Sequence, residues 1–207
     1  MAFIATDPLG GLIDLYNVDT AGPGPLAGLA AGPTTRAFTN YPGLVVRAYD
    51  YNLGAGEFMF GKSLAATPYG ATCEVGVATV NGRYDETMQP WLGAANTAKP
   101  LGIALVTLAA GQYGWFQIGG IAVATVSGGP VAGNPAYWQA SGVISPTGVA
   151  SKQVLGASFA SAPAAVIGAG SAAALPYAPV AQATGGTLSA TQALVLINRP
   201  TAQPQIT

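Results

Sequence analysis

The sequence predicts an all-β protein with little helix. Its 207 residues include 29 Gly and 16 Pro, so few windows of about 12 residues are free of helix-breaking residues. Short apolar runs between turn residues recur along the chain, as is typical of proteins built from strands. Charged pairs at the four-residue spacing that supports a helix are nearly missing.

Residues 1–40 are expected to form an extended N-terminal arm. The stretch at 21–33 (AGPGPLAGLAAGP) holds three Pro and four Gly, which disfavour both a helix and a central strand. Short apolar segments within the arm, such as Phe3-Ile4 and Leu12-Ile13, remain able to pair with a neighbouring subunit.

Residues 41–207 are expected to form a β-rich domain. An apolar/polar alternation around Cys73, Val75 and Val77 predicts a half-buried strand, and Asn81-Gly82 after it favours a type I′ hairpin turn. Further strands are predicted at 44–49, 57–61, 103–108, 136–140, 153–160 and 193–198. The Ala/Gly/Pro-rich stretch at about 162–186 is interpreted as a loop.

The segment GQYGWFQIGGIAVATV predicts a long strand that bends to follow a small barrel. Large residues change parity after the Gly119-Gly120 pair, and paired glycines are suited to a bulge in a strand. The residues expected to form this strand and its kink are Trp115, Phe116, Ile118, Gly119, Gly120, Ile121 and Val123.

Charge is scarce and unevenly distributed. Seven basic and eight acidic residues make up 7% of the chain, against about 25% in an average domain. A surface with so few charges tends to associate, so another protein is expected to cover much of it. The net charge of −1 without a basic cluster argues against nucleic-acid binding. The start of the chain does not resemble a secretory signal, and no apolar run reaches the ~20 residues of a membrane span.

Two segments match nucleotide-binding patterns without the context that those patterns need. Residues 56–63 (GEFMFGKS) fit the phosphate-loop consensus. The residues at its variable positions are typical of a strand, however, and the helix that must follow a phosphate loop cannot form here. Residues 165–173 (AVIGAGSAA) fit the dinucleotide consensus, yet Pro176 follows closely and no acidic residue occurs after Glu86. A strand and a low-complexity loop are the better interpretations.

The sequence offers few candidate residues for catalysis or for metal binding. The chain has no His, a single cysteine at Cys73, and one adjacent acidic pair, Asp85-Glu86, which is expected in a solvated loop. Zinc prefers His and Cys ligands, and calcium needs six or more oxygens. We therefore expect no enzyme activity, no cofactor and no metal. Trp91, Trp115 and Trp138, together with several Tyr, raise the alternative of a sugar-binding platform, although core and interface packing is the more common role of such residues.

Four segments carry a resemblance to small head-decoration (capsid cement) proteins of tailed phages. The central one is the motif at 112–119 (QYGWFQIG) followed by an alternating apolar strand. The start AFIATDPLGGL resembles the N-terminal arm of that family, AYDYNLGAGEFMF its first core strands, and ALVLINRPTAQPQIT its terminal strand and tail. Together these segments cover about a third of the chain.

The resemblance implies a β-barrel or β-tulip-like domain without catalysis or cofactor. It implies homotrimers on the outer surface of an icosahedral capsid, made in the host cytoplasm, with the major capsid protein as partner and no nucleic-acid or membrane partner. Bridging capsomers would stabilise the shell. The arm residues expected to fill pockets on the capsid are Phe3, Ile4, Leu9, Leu12, Ile13 and Leu15. The alternative is a head fibre or a receptor- or glycan-binding module of the virion surface.

Overall fold

The computed structural model describes residues 4–5, 15–16, 18, 42–50, 52–80, 83–167 and 187–204. This part of the chain contains strands and turns but no helix, which confirms the all-β prediction. The strands are β1 (Ile4–Ala5), β2 (Val45–Asp50), β3 (Gly54–Ser63), β4 (Thr72–Val80), β5 (Arg83–Pro90), β6 (Leu101–Ala104), β7 (Tyr113–Thr125), β8 (Pro135–Ala140), β9 (Val143–Ser145), β10 (Gln153–Phe159) and β11 (Gln192–Ala202).

One sheet connects all eleven strands, in the order β1-β2-β3-β5-β4-β6-β7-β11-β10-β8-β9. An additional pairing between β3 and β7 closes β3, β5, β4, β6 and β7 into a ring. The β3–β5 contact of this ring is parallel and its other contacts are antiparallel. The described domain is therefore a small ring of five strands that continues into β2 on one side and into β8–β11 on the other.

The apolar core divides into three clusters around the ring. One cluster fills the interior of the ring with the buried residues Cys73, Met88, Ala104 and Phe116, and partly buried Met59 packs against it, so that every ring strand contributes. A second lies between β2, β3 and β7 and includes Phe58, Phe60 and Trp115. The third joins β6 and β7 to the β8–β11 region around Trp91. Because both faces of β7 are covered, this strand is buried along most of its length.

β5 corrects one expectation from the sequence. Asp85 and Glu86 lie in this strand, paired with Ala78 and Val77 of β4, and not in a solvated loop. The apolar contact of β5 comes from Met88, which is 0% exposed and packs in the same cluster as Cys73 of β4. β9 was likewise not predicted, because three residues between turns carry no periodicity.

The other predicted strands correspond to observed ones with shifted ends, as in β3, which is longer than the predicted 57–61. β4 and β5 meet at Val80 and Arg83; the predicted turn residues between them lie outside the described part. Of the predicted loop at 162–186, residues 162–167 are described, and Val166 forms an isolated bridge with Thr187.

Candidate interaction groove

A groove of about 490 Å³ lies across β2, β3, β7 and β11. Its lining residues are Arg47, Ala48, Tyr49, Ala55, Gly56, Glu57, Gly119, Gly120, Asn198 and Arg199. Most of them are directly paired across the strands, and one row runs from Arg47 through Glu57 and Gly119 to Asn198. Because paired residues on adjacent strands project from the same face, this row places charged and polar side chains around a glycine.

The hairpin of β2 and β3 sets the first wall of the groove. The Oδ1 atom of buried Asp50 accepts hydrogen bonds from the backbone N–H groups of Asn52 (2.8 Å) and Leu53 (2.9 Å). An aspartate that caps its own turn in this way holds the strand register. That register pairs Arg47 with Glu57, which brings opposite charges together on the outer face.

The floor of the groove is formed by bare backbone at a bulge in β7. Register with β3 shifts between Glu57 and Phe58, which face Gly119 and Gln117, so that Ile118 is the extra residue. Gly120 has φ +92°, and a Cβ there would clash with the carbonyl oxygen of Ala55. Only glycine fits this position without strain.

Gln117 stabilises the bulge from the inside. Its side chain is 1% exposed, and its Nε2 donates to the carbonyl oxygens of Gly119 and Ile121, both at 3.0 Å. Buried carbonyl groups that a bulge frees from the strand ladder need such partners. Gln117 was not among the residues predicted from the sequence to matter, although a polar residue between apolar ones next to a Gly-Gly pair is a usable signal for such a role.

The second wall comes from an irregularity in β11. Register with β10 passes from Leu155↔Thr201 to Ala157↔Ile197, so residues 198–200 face Gly156 alone. Arg199 sits in this bulge with φ 43°, a conformation that costs free energy for a residue with a side chain. The conformation directs Arg199 across β7 towards Glu57.

Glu57 joins the two walls electrostatically. Its Oε2 accepts from Nε of Arg199 at 3.2 Å, and its Oε1 lies 3.1 Å from both Nε and the terminal nitrogen of Arg47. The hydrogen bond from Arg199 is the largest cause of a lowered pKa of Glu57; burial opposes the shift and Arg47 adds to it. The two guanidinium groups stay largely in solvent, with side chains 75% and 68% exposed. Two guanidinium groups therefore flank one carboxylate at the groove.

The predicted arm residues fall in different places. Ile4 lies in β1, which pairs with Tyr49 and Ala48 of β2 beside the groove. Leu15 is 1% exposed within the chain's own cluster between β2, β3 and β7, so its side chain is not presented to a partner. Phe3, Leu9, Leu12 and Ile13 lie outside the described residues.

All seven residues expected for the bent strand lie in β7, and the register shift falls at Ile118, directly before the glycine pair. Trp115, Ile121 and Val123, on both sides of that pair, pack in the same cluster. The bulge therefore bends β7 without turning its large side chains to the opposite face. Trp115 lies on the same side of the strand as Ile121 and Val123, whereas Phe116 lies on the other side.

The three tryptophans do not form a common platform. Trp91 and Trp115 are 0% and 1% exposed and belong to different clusters. Trp138 is half-buried, its Nε1 donates to the carbonyl oxygen of Trp91 at 2.9 Å, and Nζ of Lys152 lies 4.2 Å from the centre of its ring. A sugar platform built from these residues is therefore not present.

Within the described residues, the phosphate-loop pattern at 56–63 is extended strand β3. The second nucleotide-like pattern is described only as far as Ile167, whose side chain is buried. The described ranges contain no group of three His, Cys, Asp or Glu residues suited to hold a metal ion. Nor do they include a helix with the length and apolar character that crossing a bilayer requires.

No protein-family model matches the chain, and no significantly similar curated protein was found. Function is therefore inferred from the residues of the chain and from their geometry.

Proposed function

We propose that this chain is a structural protein of a tailed-phage head, which binds the outer surface of the icosahedral capsid and stabilises it by bridging capsomers. In this proposal the chain forms a homotrimer, its partner is the major capsid protein, and it has no enzymatic role. It starts from the resemblance of residues 112–119 to decoration proteins, a segment that lies largely in the central strand β7.

The main structural support is the set of large apolar side chains on the surface of a chain with few charges. Leu44, Val45 and Tyr49 are 37%, 39% and 48% exposed along or just before β2, near the end of the sheet. Val77, Leu92, Val131, Val166 and Leu196 are more than half exposed elsewhere. Exposed apolar side chains that lie close together, as Leu44, Val45 and Tyr49 do at β2, are suited to contact with another protein surface.

The pairing of β1 with β2 refines the part assigned to the arm. A short strand on a sheet edge is held mainly by main-chain hydrogen bonds, so the arm can add strand pairing to an interface. Leu15 acts differently, because it anchors the arm to the body of its own chain. We therefore propose that the capsid-contacting part of the arm precedes Leu15.

Binding of the full-length protein to phage heads tests this proposal. Tailed-phage heads that lack the chain are mixed with the intact protein, sedimented, and reconstructed by electron cryomicroscopy. We expect density at threefold or quasi-threefold positions of the outer surface and an increased resistance of the heads to heat. Failure to co-sediment, or density restricted to the tail or a single vertex, would contradict the proposal.

Deletion of residues 2–14 tests the arm separately because Leu15 is retained. We expect the variant to remain folded but to bind heads more weakly, since each contact of the arm is multiplied by the number of copies in the trimer. The matched control is deletion of residues 205–207, at the opposite end of the chain. Unchanged binding by a folded 2–14 deletion would remove the arm from the interface.

A further inference from the structure

We propose that the protein binds one internal water molecule between the ring and the β8–β11 region, at a site formed by the side chains of Thr72, Glu74 and Trp91. The water accepts a hydrogen bond from the indole N–H of Trp91, donates one to Oε2 of Glu74 and forms a third with the hydroxyl group of Thr72. This inference goes beyond the proposed function and does not depend on the capsid partner.

The three side chains share one face of the sheet, on the outside of the ring. Cys73 faces the interior of the ring, so its neighbours in β4, Thr72 and Glu74, face outwards. Trp91 directly follows β5, and its backbone N–H donates to the carbonyl oxygen of Thr72 at 2.9 Å. Glu74 pairs with Gln89, two positions before Trp91. Opposite and diagonal positions of paired strands are within reach of aromatic and long side chains, so the three side chains are neighbours.

Gly142, in the turn between β8 and β9, fixes the backbone at this site. Its carbonyl oxygen accepts from the N–H of Thr72 at 2.8 Å, and its own N–H donates to the carbonyl oxygen of Trp91 at 3.1 Å. Nε1 of Trp138 donates to the same carbonyl oxygen of Trp91 at 2.9 Å. The backbone groups on this corner are therefore hydrogen-bonded already, and what remains to be satisfied belongs to side chains.

Each of the three side chains has a buried polar atom for which the described residues supply no hydrogen-bond partner. These atoms are Oγ1 of Thr72, Oε2 of Glu74 and Nε1 of Trp91. The three residues are 2%, 4% and 0% exposed, so bulk solvent does not reach these atoms. Buried polar groups in folded proteins nearly always bond to another protein group or to ordered water. Three such atoms at neighbouring positions indicate one shared partner.

The second oxygen of Glu74 shows why this carboxylate needs a further donor. Oε1 accepts from Nζ of Lys99 at 2.9 Å and from Nε2 of Gln89. Lys99 therefore balances the negative charge, but both of these donors bind the same oxygen. A buried ion pair is stable only when hydrogen bonds also satisfy its remaining lone pairs. A water molecule at Oε2 supplies that hydrogen bond.

The donors and acceptors at the site select water over other ligands. The indole N–H of Trp91 only donates, the carboxylate of Glu74 only accepts, and the hydroxyl group of Thr72 does both. A metal ion or an ammonium ion cannot accept from the indole, and the carboxylate repels an anion. A larger molecule is excluded because the three residues are at most 4% exposed. Buried water molecules typically form about three hydrogen bonds to such groups.

A high-resolution crystal structure of the full-length protein tests the site directly. We expect one ordered solvent peak within hydrogen-bond distance, about 2.7–3.2 Å, of at least two of the three atoms. Direct hydrogen bonds among the side chains of Thr72, Glu74 and Trp91 would overturn the inference. So would a map without a solvent peak in contact with two of them.

Thr72→Val distinguishes a hydroxyl group that binds water from one that has no partner. Removal of a buried hydroxyl group without a partner leaves the protein equally stable or more stable. If the hydroxyl group helps to hold the water, we expect the unfolding equilibrium constant to rise at least about fivefold, as for a lost hydrogen bond. The control is Thr201→Val at a half-buried position of β11, which should change the constant by less than about twofold. Urea unfolding followed by circular dichroism measures both, and no rise with Thr72→Val would contradict the site.

The same substitution in a Trp91→Phe background tests whether the two groups share one water molecule. The background variant lacks the indole N–H, so the water has fewer partners and is held less tightly. We therefore expect the effect of Thr72→Val, expressed as a free energy, to shrink to about half or less. An equal effect in both backgrounds would show that Thr72 and Trp91 have no common partner. If Trp91→Phe does not fold, the solvent peak and the single Thr72→Val variant decide the question.

Discussion

The side-chain amide of Gln117 lies 3.0 Å from the carbonyl oxygen of Gly119, two residues along the same strand, and donates a hydrogen bond to it. The same nitrogen reaches the carbonyl oxygen of Ile121, so one buried side chain spans the β7 bulge. The floor of the groove therefore depends on a residue that does not line it.

Replacing Gln117 with leucine is expected to lower the free energy of unfolding by about 1–3 kcal/mol, because it removes the side-chain partner of two carbonyl groups. Urea unfolding followed by tryptophan fluorescence measures the change. Gln139→Leu is the control, since Gln139 is exposed in β8. Equal stability of the two variants would show that Gln117 does not support the bulge.

Gly120→Ala is expected to cost more than Gly111→Ala. Both glycines have positive φ, +92° and +86°, but only Gly120 has backbone in the way of a Cβ. The left-handed conformation alone costs about 1–2 kcal/mol for alanine, and the clash at Gly120 adds to that cost. Thermal unfolding of the two variants isolates the steric contribution. An equal loss in both would mean that β7 shifts freely away from β3.

The ion pairs of Glu57 predict a dependence of stability on pH. Since the pKa of Glu57 is lowered in the folded protein, its contribution is fully present above its ordinary value of 4.5 and is lost as the pH falls through the lower folded value. E57Q is therefore expected to be less stable than the unaltered protein at neutral pH, by about 0.2–1 kcal/mol for each exposed pair. The difference should vanish in strong acid.

Thermal melts of both proteins across the acid range measure this difference. In an R199Q background the effect of E57Q should shrink, because the hydrogen bond from Arg199 is the largest cause of the shift. A difference that stays constant with pH would assign the effect of E57Q to packing.

Cys73 is expected not to react with thiol reagents in the native protein. It is 0% exposed inside the ring, and burial, followed by the charge of Glu74, raises the pKa of its thiol far above the ordinary value. Since the thiolate is the reactive form, a colorimetric disulfide reagent should detect one thiol only after denaturation. Rapid labelling of native protein would show that the ring opens readily.

The strands that the sequence predicts are those with their own apolar pattern. Cys73 and Val75 alternate with smaller or polar residues and mark β4 directly. β5 was missed because its charged residues imply a loop, whereas β4 supplies the backbone partners that make it a strand. The turn predicted at Asn81-Gly82 already called for a second strand.

The groove could not be predicted from the sequence, because strands that are distant along the chain bring its residues together. Arg199 and Glu57 are separated by 142 positions, and no local spacing links them. Their contact depends on β7, whose pairing with β3 and β11 brings the two residues to either side of a glycine. The Gly119-Gly120 pair was noticed as a bend, but its use as a floor follows only from the neighbouring strands.

β7 pairs with β3 and β6 within the ring and with β11 outside it. The ring and the β8–β11 region therefore share one strand and cannot separate without losing it. Backbone amides of β7 should exchange with deuterium only through global unfolding, while the ends of the sheet exchange through local opening. The domain should therefore resist mechanical force as one unit, because neither the ring nor the β8–β11 region can be detached while the other keeps its fold.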